Sequence, residues 1–223
     1  MQTSTIPLYF FVIRHGETDW NLEKRMQGRE DIPLNETGRR QSRELAKVLA
    51  SVPFSYIVTS PLSRAMDVAV DIASYHPNAR IIPEPLLLER DKGNVSGFTP
   101  VDRDFFLKNG GHEEMEPVAS VRERAARSME ACHALAREAY ASRAEASGRP
   151  VYIAIVTHGG LIYHLLESIS EGALESATGR VFLHNCDVTV INEQNEILAF
   201  DLTVETFPQF WEALSGKKDS TCC

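Results

Sequence analysis

Four cysteines in 223 residues are too few, and too unevenly placed, for a disulfide scaffold. Cys132 and Cys186 are isolated, while Cys222 and Cys223 adjoin at the end of the chain. This usage predicts a reducing, cytoplasmic setting. No run approaches the roughly 18 apolar residues that span a bilayer. The apolar stretch 8–13 is too short for a signal-peptide core and runs straight into Arg14-His15. Basic charge is also scarce: 23 Lys and Arg face 31 Asp and Glu, for a net charge of −8. Nucleic-acid coats and basic membrane-surface proteins need a positive field and are excluded. There is no HExxH and no Cys/His pair to hold zinc. His76, His112, His133, His164 and His184 show no ligand spacing and read as surface or packing residues, so no metal is expected. No internal repeat and no linker rich in Pro, Gly or Ser divides the chain. One domain over 1–215 is expected, followed by a flexible polar tail over 216–223.

Apolar residues at 43% and charged residues at 24% fit a globular protein. Residues 8–13 (LYFFVI) form a short continuous run rich in aromatic and β-branched side chains, which predicts a buried parallel strand. Asn35 can cap a helix reaching about Ala50, with Leu45, Val48 and Leu49 inward. Residues 56–59 predict a second strand. Ser60-Pro61 then reads as an N-cap with proline at the first helical position, and Leu62, Ala65, Met66, Ala69, Ile72 and Ala73 line one helical face. Over 84–117 the pattern breaks at Gly93, Gly97, Pro100, Gly110 and Gly111, which predicts a loop-rich lid with one helix near 101–108.

A long helix comes next, with Cys132 on its apolar stripe, ended by Ser147-Gly148-Arg149-Pro150. Its stretch Arg122-Glu123-Arg124 reads as a solvated face. Residues 151–156 predict a third buried strand, Gly159-Gly160 opens another helix, and 187–192 and 197–202 read as β segments. Trp20 and Trp211 read as packing residues. Alternation of this kind predicts a three-layer αβα sandwich around a mainly parallel sheet.

Ligands of such sheets bind beyond the carboxyl ends of the strands. Three junctions there carry unusual polar residues: Arg14-His15-Gly16-Glu17-Thr18, Ser60 to Arg64, and Thr157-His158-Gly159-Gly160. Together they offer two imidazoles, two guanidiniums and a helix N-terminus that favours an anion. Phosphoryl transfer needs such groups, because charge spread over three oxygens is stabilised by fixed, bidentate donors. A neutral imidazole can attack phosphorus, and a second can steady the same oxygens. The leaving oxygen needs an acid. Glu89, after Leu86-Leu87-Leu88, is the best candidate, since a closing lid would help it hold a proton.

At these residues the chain resembles the histidine phosphatase, or phosphoglycerate-mutase-like, superfamily over about residues 8–202. Arg14-His15-Gly16 matches its RHG motif, continued by Glu17-Thr18-Asp19-Trp20-Asn21. Leu34 to Gln41, Ser60-Pro61-Leu62-Ser63-Arg64-Ala65, Glu89-Arg90-Asp91 and Thr157-His158-Gly159-Gly160 resemble further family segments, in the family's order. The resemblance implies His15 as nucleophile, Arg14, Arg64 and His158 as the phosphate pocket, Glu89 as proton donor and Asn21 as a further phosphate contact. Thr18 and Gly159 are expected beside the bound group. Glu17 is read either as an orienting residue near the pocket or as a structural ion pair.

Two departures fall in the lid. Lys92-Gly93 stands where members usually show an aromatic residue before the glycine, and Glu113-Glu114-Met115 replaces a Gly-Glu-Ser segment. The mutases of the family carry a longer insertion with Trp-Arg-Arg, and a Tyr-Gly after the acid; both are absent. A phosphatase needing no metal or cofactor is therefore favoured. A phosphoglycerate mutase, or a non-catalytic phospholigand-binding module, is the alternative. The expected partner is a small phosphorylated metabolite, a sugar phosphate or phosphoglycerate. Arg90, Lys92, Arg103 and Lys108 could hold a second anionic group or be plain exposed lid charges. Cys222-Cys223 after Lys217-Lys218 resembles a lipidation signal, the one route to a membrane that the sequence offers.

Overall fold

The computed structural model describes residues 7–142, 149–170 and 183–216. Strands β1 (Leu8–Arg14), β2 (Phe54–Thr59), β3 (Arg80–Pro83), β4 (Val151–Thr157), β5 (Val188–Asn192) and β6 (Ile197–Leu202) form one sheet in the order β3-β2-β4-β1-β5-β6. The first four run parallel; β5 runs antiparallel to β1, and β6 to β5. The helices are α1 (Asp19–Leu22), α2 (Glu36–Leu49), α3 (Ser63–Ala73), α4 (Pro100–Lys108), α5 (Val118–Ala141), α6 (Gly159–Ile169) and α7 (Phe207–Ser215).

Successive strand residues face opposite sides of the sheet, and β1 is apolar on both of them. Its Phe11 and Ile13 pack with Leu45, Val68, Phe207 and Trp211, from α2, α3 and α7. Its Phe10 and Val12 pack with Val121, Met129, Cys132 and Leu165, from α5 and α6. The sheet is thus covered on both faces, the three-layer α/β arrangement that the sequence predicts. Cys132 is fully buried in the second core, and burial pushes its thiol up to about 12.

Asn35 caps α2 as expected, its side chain accepting from the Gly38 N–H at 2.8 Å. Gly38 serves a close approach as well: a Cβ there would lie 2.1 Å from the Glu17 carbonyl oxygen. The start of α3 differs from expectation. The helix begins at Ser63 with Leu62 at its cap, and no side chain caps it. The Ser60 hydroxyl is engaged elsewhere, in the cleft described below.

Three elements carry weak signals. The edge strand β3 offers only Ile81 and Ile82 before Pro83, and α1 is a single turn. In α7, Phe207, Phe210, Trp211 and Leu214 do keep helical spacing, and Phe207 and Trp211 are buried. The lid is loop-rich with α4 as expected, plus one-turn helices at Pro85–Leu87 and Gly93–Val95. Residues 143–148, within the expected end of the long helix, and the Cys222-Cys223 tail lie outside the described residues. No helix among the described residues is long and apolar enough to cross a membrane.

Candidate active site

The parallel register aligns three strand ends. Arg14 pairs with Thr157 between β1 and β4, and Thr59 pairs with Val156 between β2 and β4. The next residues, His15, Ser60 and His158, therefore meet at one edge. All three are buried, and the two imidazole rings lie 5.1 Å apart, centroid to centroid. In front of them opens a cleft of about 500 Å³ whose lining includes Arg14, His15, Asn21, Arg64, Glu89 and Gly159.

A carbonyl can only accept, so the 2.7 Å contact of His15 Nδ1 with the Gly16 carbonyl oxygen places the proton on Nδ1. The Nε2 lone pair is left free. Burial, reinforced by the Arg64 and Arg14 guanidiniums, holds the His15 pKa well below the ordinary histidine range. Burial and the nearby Arg64 and Arg14 guanidiniums do the same to His158. Nε2 of His158 lies 2.7 Å from Ser60 Oγ, and its Nδ1 is buried without a partner.

Arg64 is fully buried on the first turn of α3. Its Nη1 donates to the Glu30 carbonyl at 2.7 Å and its Nη2 to that of Gly28 at 2.9 Å. Burial lowers its pKa to about 10, which leaves it charged at neutral pH. Arg14 donates through Nη1 to the Leu183 carbonyl. The Nε groups of Arg14 and Arg64 are both buried donors without a partner. An unmatched buried donor costs on the order of 1–3 kcal/mol, so the cleft is poised for an acceptor.

Asn21 comes from α1, capped by Thr18. Its Oδ1 accepts from the Thr18 N–H at 3.2 Å and from the Thr18 hydroxyl at 3.1 Å, which leaves its NH₂ for the cleft. Thr18 is therefore corrected: it is fully buried behind Asn21 and does not line the cleft. Glu17 is also placed apart from the cleft. Its Oε1 accepts from Asn35 Nδ2 at 2.9 Å, tying the histidine loop to α2.

Gly159 packs against Arg14; a Cβ there would sit 3.3 Å from Arg14 Nε. The helix N-terminus beside it is already engaged, because the Gly160 N–H donates to Glu89 Oε2 at 2.9 Å. The Arg90 N–H donates to Glu89 Oε1 at 2.6 Å, so two backbone donors aim the carboxylate at the cleft. Arg90 lines the cleft, and so does His164, which the sequence leaves as a surface or packing residue.

The reading of Arg122-Glu123-Arg124 as a solvated face fails at Arg124, which is only 9% exposed. Its guanidinium donates to the carbonyls of Leu86, Leu88 and Glu89 and to both carboxylate oxygens of Glu116. One buried side chain thus fixes the loop that carries Glu89 to α5. Sequence reasoning also misses Asn185, whose Nδ2 donates to the His15 carbonyl at 2.9 Å. Only the polar run 184–187 ahead of β5 hints at it. His184 Nδ1 lies 3.1 Å from Asp187 and 3.3 Å from Asp201, a grouping that sequence spacing does not reveal. Burial and the Asp201 carboxylate raise Asp187 to about 7.

The family profile described as histidine phosphatase superfamily (branch 1) matches residues 10–205. The Bacillus subtilis protein named uncharacterized phosphatase PhoE is 34% identical over 170 residues, 76% of this chain and 81% of that protein. The Photorhabdus laumondii protein named probable phosphoglycerate mutase GpmB is 33% identical over 214 residues, 89% of this chain and 92% of that one. The vanadate-complexed structure of a mycobacterial glucosyl-3-phosphoglycerate phosphatase superposes with a TM-score of 0.69 at 25% identity, covering 89% of this chain and all of the other. The chain belongs to the histidine phosphatase superfamily.

Proposed function

We propose that the protein is a metal-independent phosphatase that hydrolyses a small phosphomonoester through a phosphohistidine at His15. One observation carries the reading: unpartnered buried donors on Arg14 and Arg64 flank a histidine whose Nε2 is free and unprotonated. The ester's phosphoryl oxygens accept from Arg14, Arg64 and the Asn21 amide. His15 Nε2 attacks phosphorus; an N–P bond forms as the P–O bond to the leaving group breaks. Glu89 gives its proton to the departing oxygen. The dianion's charge favours a proton on His158, which then steadies the same oxygens. After the alcohol leaves, Glu89 takes a proton from water as that water attacks phosphorus. Inorganic phosphate departs and His15 is restored. The guanidiniums supply the charge stabilisation, so no step calls for a metal or cofactor. The names of the relatives support a small phosphorylated metabolite as partner.

Rapid quenching with a labelled phosphomonoester should trap an acid-labile, base-stable phosphoenzyme, absent in His15→Ala. Unimpaired turnover by that variant would sink the mechanism. Glu89→Gln should slow esters with poor leaving groups most; an equal loss on p-nitrophenyl phosphate would remove Glu89 as the acid. The mutase reading, favoured by the relative named for that activity, predicts phosphate moved between carbons in a coupled assay primed with bisphosphoglycerate.

A further inference from the structure

A phosphoryl dianion can only accept hydrogen bonds, and the cleft meets it with donors. The same lining also holds two acceptors that such a group cannot satisfy. One is Gln27, 8% exposed, whose Oε1 is buried without a partner. The other is His164, also 8% exposed, which forms part of the cleft wall.

The His164 ring is held in one orientation. Its Nδ1 is enclosed and faces Glu167 Oε2 at 3.5 Å, and Arg122 Nη2 fixes that carboxylate at 2.8 Å. The Tyr163 ring meets the imidazole edge-on, with 5.1 Å between centroids. A carboxylate only accepts, so Glu167 favours the tautomer with its proton on Nδ1. The lone pair then lies on Nε2, at the ring's other edge, which has no hydrogen-bond partner among the described residues. Burial outweighs the contact with Glu167 and, aided by Arg90 and Arg122, lowers the His164 pKa, so the ring is neutral at pH 7 and keeps that lone pair.

Position along α6 assigns this acceptor to the leaving group. Gly160 and His164 are four residues apart and share a helical face. The Gly160 N–H holds the carboxylate of Glu89, the proton donor of the proposed reaction. His164 stands one helical turn beyond that anchor, away from the strand ends that carry His15 and His158. Arg90 and Lys92 line the same cleft, which disfavours an ammonium as the donor and leaves a neutral hydroxyl.

We propose that His164 is a specificity-determining residue whose Nε2 accepts a hydrogen bond from a hydroxyl of the leaving group, with Gln27 Oε1 as a second acceptor. The enzyme thereby selects phosphomonoesters of polyhydroxy alcohols over those of plain alkanols. The inference rests on the phosphatase reading and names a feature of its substrate.

The test is calorimetric titration of His15→Ala, which binds but cannot turn over. Glycerol 3-phosphate is compared with n-propyl phosphate, and ribitol 5-phosphate with n-pentyl phosphate. In at least one pair the hydroxylated ester should bind about 5- to 100-fold tighter, the range expected when a buried acceptor is satisfied rather than left bare. Adding His164→Phe should cut that ratio at least threefold, while His164→Gln, whose amide oxygen can stand in for Nε2, should keep most of it. Affinity for inorganic phosphate should stay within about twofold in both, because the phosphoryl end is untouched. In the enzyme with His15 intact, the preference should appear in KM rather than kcat. Ratios near one for both pairs, or a ratio that His164→Phe leaves unchanged, would overturn the assignment. Should His164→Phe weaken phosphate binding as well, the two ester pairs still decide in the protein that keeps His164, and His164→Gln decides for the ring. Failure of the phosphatase reading looks different: no ester releases phosphate with His15 intact, whatever the calorimetry shows.

Discussion

Glu116 is the carboxylate on which the lid's geometry hangs, and neutralising it gives a quantitative test. Its side chain is 8% exposed. Oε1 accepts from Arg124 Nε at 2.8 Å and from Ser120 at 3.1 Å; Oε2 accepts from Arg124 Nη2 at 2.9 Å and from the Asp91 N–H at 3.0 Å. Burial alone would raise its pKa, but these hydrogen bonds and the guanidinium charge bring it from 4.5 down to about 2. At about 1.4 kcal/mol per unit, that drop corresponds to about 3 kcal/mol of stability. The depressed folded-state value fixes the sign. This contribution is present above pH 4.5 and fades as the pH falls toward 2. In Glu116→Gln, whichever way the amide turns, its NH₂ faces an Arg124 N–H donor, and on the Oε2 side the Asp91 N–H as well. Urea unfolding at pH 7 should show a loss of about 3 kcal/mol, with a Tm lower by roughly 6 to 12 °C for a chain of this size. Between pH 5 and 2 the variant's stability should fall less steeply than that of the unaltered protein. Parallel pH curves for the two proteins would refute the assignment, even if the variant were weaker at pH 7.

Arg124→Met frees the carbonyls of Leu86, Leu88 and Glu89; kcat should fall at least tenfold, most for poor leaving groups, while phosphoenzyme still forms from p-nitrophenyl phosphate. A uniform loss on every ester would mean that Arg124 serves folding alone. Because burial and two guanidiniums lower the His15 pKa, kcat/KM should not decline between pH 7 and 6 once the substrate's own ionisation near pH 6 is allowed for. A midpoint at or above 6.5 in that profile would contradict the buried, neutral nucleophile. Inorganic phosphate or vanadate should raise Tm, and His15→Ala should keep much of that rise, since the guanidinium donors remain.

The strand ends are readable in the sequence because three features coincide there. Residues 8–14 and 151–157 are apolar runs that stop at a polar residue, and parallel pairing then brings His15 and His158 to one edge. The pocket's front is legible for the same reason. Its supports are not. Arg124 sits in a helix stretch whose charged neighbours Arg122 and Glu123 do face outward, and no periodicity separates a buried guanidinium from a solvated one. Three of its partners are backbone carbonyls 35 to 38 residues away, which carry no side-chain signature. Ser60-Pro61 has the look of a helix start, yet tertiary contact with His158 takes the hydroxyl and the helix begins three residues later. Thr18 and Glu17 share a motif with His15, but sequence proximity does not settle which side chains turn toward the cleft and which brace it.

The net charge of −8 and the cationic cleft are compatible because they act over different ranges. Surface carboxylates face water, where salt screens them within about 8 Å. Arg14, Arg64 and the two histidines lie behind the protein surface, where the effective dielectric is lower and a nearby charge acts more strongly. There the cost of burying a guanidinium is met only in part, by Glu89 and backbone carbonyls. A dianionic phosphoryl group completes the set. An acidic exterior therefore does not weaken recognition at the bottom of the cleft. It disfavours long polyanions, which must lie across the surface, and leaves small phosphate esters able to enter one at a time.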